Sequence, residues 1–280
     1  MTANDFNDYF PTWCPGCGDY GIWASLKEAL VKLGLEADQF VIVFGIGCSG
    51  NMNDFIKCYG FHSLHGRAIP TAKGINLANH KLPIIVIGGD GDLYGEGGNH
   101  FLHACRGNFN ITVIIHNNEV YGLTTGQVSP TAHKGQPSKS TPSGIIEVPV
   151  NPLSLAISQG ATFVAQGFAG DIPELTRIMV EAVKHKGFSI VNVLQPCVTF
   201  NKNHSYQWYR ERVYKLDSSY DKAKIEEAIG KAMETEKLAT GIIYQVSKST
   251  YDENLPQLKK EPLIGKSLKV EIKNLLEEFY

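Results

Sequence analysis

A carboxylate at Asp90, set among Gly88, Gly89 and Gly91, and a carboxamide at Asn118, beside Asn117, are the residues whose types and spacing first suggest chemistry. Each follows an apolar run, Ile84 to Ile87 and Ile111 to Ile115, that reads as a buried strand. A carboxylate, a carboxamide oxygen and one backbone carbonyl offer three hard oxygen ligands. Magnesium accepts such a set and completes its octahedron from substrate phosphates and water. The glycines let the backbone approach a diphosphate and place N–H donors at the start of the following helix. Alone, Gly-Asp-Gly is a tight turn and Asn-Asn a helix cap. At the ends of consecutive strands, they favour a metal–diphosphate site.

The cysteines form a second constellation. Cys14 and Cys17 make a Cys-x-x-Cys loop just before a helix, and Cys48 and Cys197 each end a buried strand. Four thiolates drawn from one such loop and two distant positions suit a [4Fe–4S] cluster. They equally suit a structural zinc held by four cysteines, although zinc more often uses two Cys-x-x-Cys pairs. A redox dithiol is a third reading, because Trp13-Cys14-Pro15-Gly16-Cys17 is close to the thioredoxin sequence; that fold needs a strand immediately before the motif, and none is readable. Cys58 and Cys105 read as packing residues.

The elements that must position these groups follow from periodicity. Glu96 to Arg106 reads as a helix between the two strands, giving a parallel βαβ unit with a right-handed crossover. Both strands then end at the carboxyl edge, where open α/β sheets bind ligands. Tyr20 to Leu33 is a helix stopped by Gly34, Phe40 to Phe44 a strand, and Asn51 to Gly66 a packed loop without a period. Pro70 fits a first helical turn. The loop from Val128 to Val150, with Pro130, Pro137, Pro142 and Pro149, is long enough to be functional. Further on come a helix at Ser154 to Gln159, a strand at Thr162 to Ala165 and a helix capped by Asp171. Ser189 to Leu194 is expected to be the last buried strand. The fold expected is α/β, a mostly parallel sheet with helices on both faces over residues 1–200. Residues 201–280 form a C-terminal extension, with helices expected at Lys222 to Glu236 and Val270 to Phe279, that covers the domain or grips a partner.

Composition sets bounds. With 280 residues, a hydrophobic fraction of 43% and 28 glycines, the chain can bury a sizeable core with many tight turns. A net charge of −2 without a dense Lys/Arg block gives no footprint for nucleic acid. No apolar run reaches the length of a membrane helix and the start lacks a signal peptide's regions, so a cytoplasmic protein is expected. There, six cysteines favour metal ligation or reactive thiols over disulfides.

Gly-Asp-Gly, a couple of dozen residues and then Asn-Asn resemble the thiamine diphosphate motif. The resemblance implies that Asp90, Asn118 and the backbone of Val120 hold Mg²⁺. Trp-Cys-Pro-Gly-Cys-Gly at 13–18, Gly-Ile-Gly-Cys-Ser-Gly at 45–50, that motif, and Gln-Pro-Cys at 195–197 stand in this order. Together they resemble the β subunit of a 2-oxoacid:ferredoxin oxidoreductase from about Trp13 to Phe200. The resemblance implies a [4Fe–4S] cluster on Cys14, Cys17, Cys48 and Cys197. It also implies cofactor contacts at Ile46, Gly47, Cys48, Ser49, His65, Gly91, Asp92, Gly122 and Leu123. Without it, His65 would be a loop histidine and Leu123 a core residue; Arg67 reads as structural. The implied activity is CoA-dependent oxidative decarboxylation of a 2-oxoacid, with electrons passed to ferredoxin. The glutamate that activates thiamine diphosphate is expected on an α subunit, in a heterodimer or its dimer. Where several 2-oxoglutarate-using relatives look to carry lysine, this chain has Thr125. Two rivals are a non-redox thiamine-dependent decarboxylase or transferase subunit with structural zinc, and an Fe–S electron carrier.

Overall fold

The computed structural model describes residues 1–138, 140–259, 261–267, 269 and 272–279. The N-terminal arm leads through the Cys-x-x-Cys loop into α1 (Asp19–Leu33), which ends at Gly34 in the left-handed conformation. Then follow β1 (Val41–Phe44), β2 (Tyr59–His62), α2 (Ala68–Ala78), β3 (Ile84–Gly89), α3 (Gly98–Gly107) and β4 (Thr112–Asn117). A small ribbon, β5 (Val120–Tyr121) with β6 (Gln127–Val128), precedes the long loop. After it come α4 (Pro152–Ser158), β7 (Phe163–Phe168), α5 (Ile172–Lys184), β8 (Ser189–Leu194), α6 (Tyr206–Arg210), β9 (Val213–Lys215), α7 (Ile225–Ala232), β10 (Leu238–Gln245) and α8 (Lys273–Glu277).

Eight strands form one sheet in the order β2-β1-β3-β4-β8-β7-β10-β9. Every pairing is parallel except that of β10 with β7. The central strands read as apolar runs because both faces are covered. Helices α1 and α5 bury Ile22, Leu26, Leu175 and Ile178 against one face. Helices α2, α3, α4 and α7 bury Ile69, Phe101, Leu153 and Ala228 against the other. The carboxyl ends of β1, β3, β4 and β8 therefore share one edge. Among the described residues no helix is long and apolar enough to cross a membrane.

Three expectations need correction. The sheet does not end at Ser189–Leu194: β10 adds a strand buried from Ala239 to Tyr244, and β9 pairs with it in parallel. A bulge between Ile242 and Tyr244 and a left-handed Gly241 at φ 128° break the period that would have announced this strand. Asn51 to Gly66 is not all loop, since β2 pairs in parallel with β1; it lies at the sheet edge with all four residues exposed, so no apolar alternation marks it. The helix expected from Glu96 begins at Gly98 and follows a π-helical turn, Gly91–Glu96, that carries Asp92. Asp171 caps α5 as expected, accepting from Glu174 N at 3.3 Å. Val270 and Glu271, at the start of the last expected helix, lie outside the described residues.

His185 ends α5 with Nε2 at 2.8 Å from Thr162 Oγ1, and burial pushes its pKa down to about 4. The folded chain thus binds fewer protons than the unfolded chain between about pH 6.5 and 4. Stability should be full above that window and fall as pH drops through it, by at most about 1.4 kcal/mol per pH unit from this group. Denaturation midpoints measured across the window should fall less steeply in His185→Gln.

Candidate active site

The register of β3 and β4 sets Gly89 beside His116, so the chain leaves both strands side by side at the carboxyl edge. Asp90 is 1% exposed. Its Oδ2 accepts from Glu119 N at 3.1 Å and from the Ser129 and Thr131 hydroxyls, each at 2.5 Å. None of these bonds uses Oδ1. Burial, opposed by the two hydroxyl bonds, raises the Asp90 pKa to about 6. A cation at Oδ1 would reverse that penalty. Asn118 Oδ1 accepts from Val120 N at 3.1 Å, and the Asn118 carbonyl accepts from Asn201 Nδ2 at 3.0 Å. Asp90, Asn118 and Val120 line one cleft, which thus carries residues with oxygen donors of the kind magnesium selects.

The same cleft is lined by Ile46, Gly47, Cys48 and Ser49 after β1, by His65, by Gly91 and Asp92 after β3, and by Gly122 and Leu123 after β5. Asp92 ties these loops together. Its carboxylate accepts from Gly66 N at 2.6 Å and Ile46 N at 3.3 Å, and lies 3.2 Å from His65 Nδ1. Burial raises its pKa, against these bonds. A side chain at Gly45 would overlap the Asp92 carboxylate, so glycine permits this close approach. Leu123 is 51% exposed on the open side of the cleft. Arg67 bonds His100 Nε2 at 3.0 Å and does not line the cleft.

Cys14, Cys17, Cys48 and Cys197 line one adjoining cavity, which shares Cys48, Asn118, Gly122, Leu123 and Gln195 with the first cleft. Trp13 donates from Nε1 to the Cys48 carbonyl at 2.7 Å, and Gly18 N donates to the Pro196 carbonyl at 3.1 Å. These two bonds clip the N-terminal loop to the ends of β1 and β8. Burial first, then the Asp19 charge, raise the Cys17 and Cys48 thiols, the latter to about 12. Such buried thiolates need a cationic centre beside them.

Sequence reasoning missed the polar groups behind these loops. Asp19, with no exposed surface, faces His116 Nδ1 at 2.6 Å and accepts from Cys17 Sγ at 3.2 Å. Gln195 donates from Nε2 to Cys17 Sγ at 3.5 Å. His116 Nε2 and Gln195 Oε1 are buried without a hydrogen-bond partner among the described residues, and both residues line the cleft. Asp19 next to the cysteine loop was the one available signal; nothing in the sequence pairs it with His116, 97 positions away. Ser129 and Thr131 lie in the long loop, whose length alone pointed to function.

The geometry agrees with what the chain resembles. Residues 45–193 match the model described as thiamine pyrophosphate enzyme, C-terminal TPP binding domain. Residues 197–260 match the model for the C-terminal part of the pyruvate ferredoxin oxidoreductase beta subunit. The 2-oxoacid:ferredoxin oxidoreductase subunit beta of Saccharolobus solfataricus is 47% identical, with 88% of this chain and 85% of that one covered. The chain belongs to this family of beta subunits. The 2-oxoglutarate oxidoreductase subunit KorB of Mycobacterium tuberculosis is 46% identical over 71% of this chain and 54% of its own length. A solved 2-oxoglutarate:ferredoxin oxidoreductase from Magnetococcus marinus, with 2-oxoglutarate, coenzyme A and succinyl-CoA bound, superposes with a TM-score of 0.93. It is 36% identical, with 100% of this chain and 96% of that one covered. This beta subunit of a 2-oxoacid:ferredoxin oxidoreductase has a thiamine diphosphate-binding fold, and an α subunit is implied as its partner.

A Cβ at Gly91 of this beta subunit would stand 2.5 Å from the Tyr121 ring, whose hydroxyl donates to the Gly91 carbonyl at 3.1 Å. Gly91→Ala should cost about 1–3 kcal/mol of stability in chemical denaturation, as overpacking does. It should also weaken thiamine diphosphate binding measured by calorimetry.

Proposed function

We propose that this subunit holds thiamine diphosphate through Mg²⁺ on Asp90, Asn118 and the Val120 carbonyl, and a [4Fe–4S] cluster on Cys14, Cys17, Cys48 and Cys197. With an α subunit it would oxidatively decarboxylate a 2-oxoacid to an acyl-CoA and pass electrons to ferredoxin. The observation that carries this reading is Cys48, which lines both the cofactor cleft and the cysteine cavity. Bound thiamine diphosphate supplies a carbon nucleophile for the keto group and an electron-rich carbon once CO₂ departs. The chain's own groups orient and shield it. Asp90 and Asn118 fix the metal end, Asp92 holds the Ile46 and Gly66 amides around the cleft, and Cys48 borders the exit for electrons.

The carboxylates lining the cleft are Asp90 and Asp92, and both are engaged within the chain. That leaves the activating acid to the partner.

The purified chain alone should hold iron and sulfide yet turn over no 2-oxoacid, and adding the α subunit should restore CoA-dependent dye reduction. Turnover by the chain alone, or zinc in place of iron, would sink the proposal. Asp90→Ala should weaken Mg²⁺-dependent thiamine diphosphate binding by about 100-fold or more, since losing a group that only orients a metal ligand can already reach that size. Asp19→Asn removes a buried negative charge from beside Cys17 and should raise the cluster's reduction potential, read by EPR-monitored titration.

A further inference from the structure

Glu119, His133 and His204 do not line the cofactor cleft. Each comes from a different segment: the loop after β4, the long loop after β6, and the turn before α6. Their ligand atoms all fall within 4.8 Å of one another. His204 Nδ1 stands 2.6 Å from Glu119 Oε2, and His133 Nε2 stands 3.7 Å from Glu119 Oε1. Glu119 and His204 are each 7% exposed. Glu119 Oε2 and His204 Nδ1 are buried, and neither has a hydrogen-bond partner among the described residues. The two atoms thus face each other at close range without a well-directed hydrogen bond between them.

We propose that these three side chains bind a divalent transition-metal ion of the zinc class. Two borderline imidazoles and a hard carboxylate form a ligand set that zinc accepts, with a fourth position for water. Ligand atoms about 2.1 Å from a tetrahedral ion stand about 3.4 Å apart. The two Glu119–histidine spacings, 2.6 and 3.7 Å, bracket that value. The half-exposed side of His133 leaves room for the water. Trp208 lies over the His204 ring at 4.0 Å, and His133 meets that ring edge-on at 4.7 Å, so the imidazoles are held by packing. The bland alternative is a plain Glu119–His204 ion pair, which gives His133 no role and predicts no metal.

The site is separate from the magnesium reading. The Glu119 side chain lines a different cavity, with His133 and Trp208. Its backbone nonetheless sits between Asn118 and Val120 at a left-handed φ of 63°. That conformation is strained for a residue with a Cβ. An ion here would pin the strained residue and clip both the long loop and the C-terminal segment to the floor of the cofactor site.

The test uses the assembled enzyme, purified anaerobically with its cluster intact so that the cysteines are occupied. After chelation and exchange into excess Mg²⁺, it is titrated with Zn²⁺ and its metal content measured. One zinc more per beta chain is expected in the wild type than in His133→Ala, with at least about 100-fold weaker binding in the variant. Iron content and melting profile without zinc should match the wild type, because His133 is half exposed. Equal zinc uptake in both proteins overturns the proposal. Anomalous scattering at the zinc edge from wild-type crystals needs no variant: a peak among the three side chains supports the site, and its absence rejects it.

Discussion

The pairing of Gly89 with His116 is the contact on which the site depends. Parallel strands in one sheet end at the same edge, and this register makes Asp90 and Asn118 neighbours across 28 positions of sequence. The flanking strands repeat the device: β1 delivers Cys48 and β8 delivers Cys197 to the same edge. One geometric rule therefore places a carboxylate, a carboxamide and two thiols together. The Cys-x-x-Cys loop joins them through the Trp13 and Gly18 bonds rather than through the sheet.

The site concentrates charge where the fold excludes water. Asp19, Asp90 and Asp92 are each at most 2% exposed, a burial that costs several kcal/mol for an unpaired ion. Each is answered by local donors: His116 and Cys17 for Asp19, a backbone amide and two hydroxyls for Asp90, two backbone amides for Asp92. Apart from Cys17, those donors come from segments distant in sequence, so those segments cannot move independently of the carboxylates. The long loop after β6 is anchored at its start by Ser129 and Thr131, and its later residues lie over the surface.

Residues beyond 200 are tied into this arrangement. Strand β10 extends the sheet, Asn201 bonds the Asn118 carbonyl, and His204 faces Glu119. We therefore read the segment as part of the same structural unit. Leu123, which lines the cleft, is exposed.

Strong local signals made much of this legible in the amino-acid order. The apolar runs at Ile84 and Ile111, the glycines around Asp90, the Asp171 cap and the four cysteines each report on residues within a few positions of themselves. They determined an α/β class, a parallel core and a functional edge. Strand β10 stayed hidden because a bulge and Gly241 erase its period, and β2 because an uncovered edge strand needs no apolar face. The dyad of Asp19 and His116, the hydroxyls on Asp90 and the meeting of Glu119, His133 and His204 were decided only by tertiary structure. A buried polar group must find a partner, but any loop brought near by packing can supply one. Nothing in local sequence specifies which.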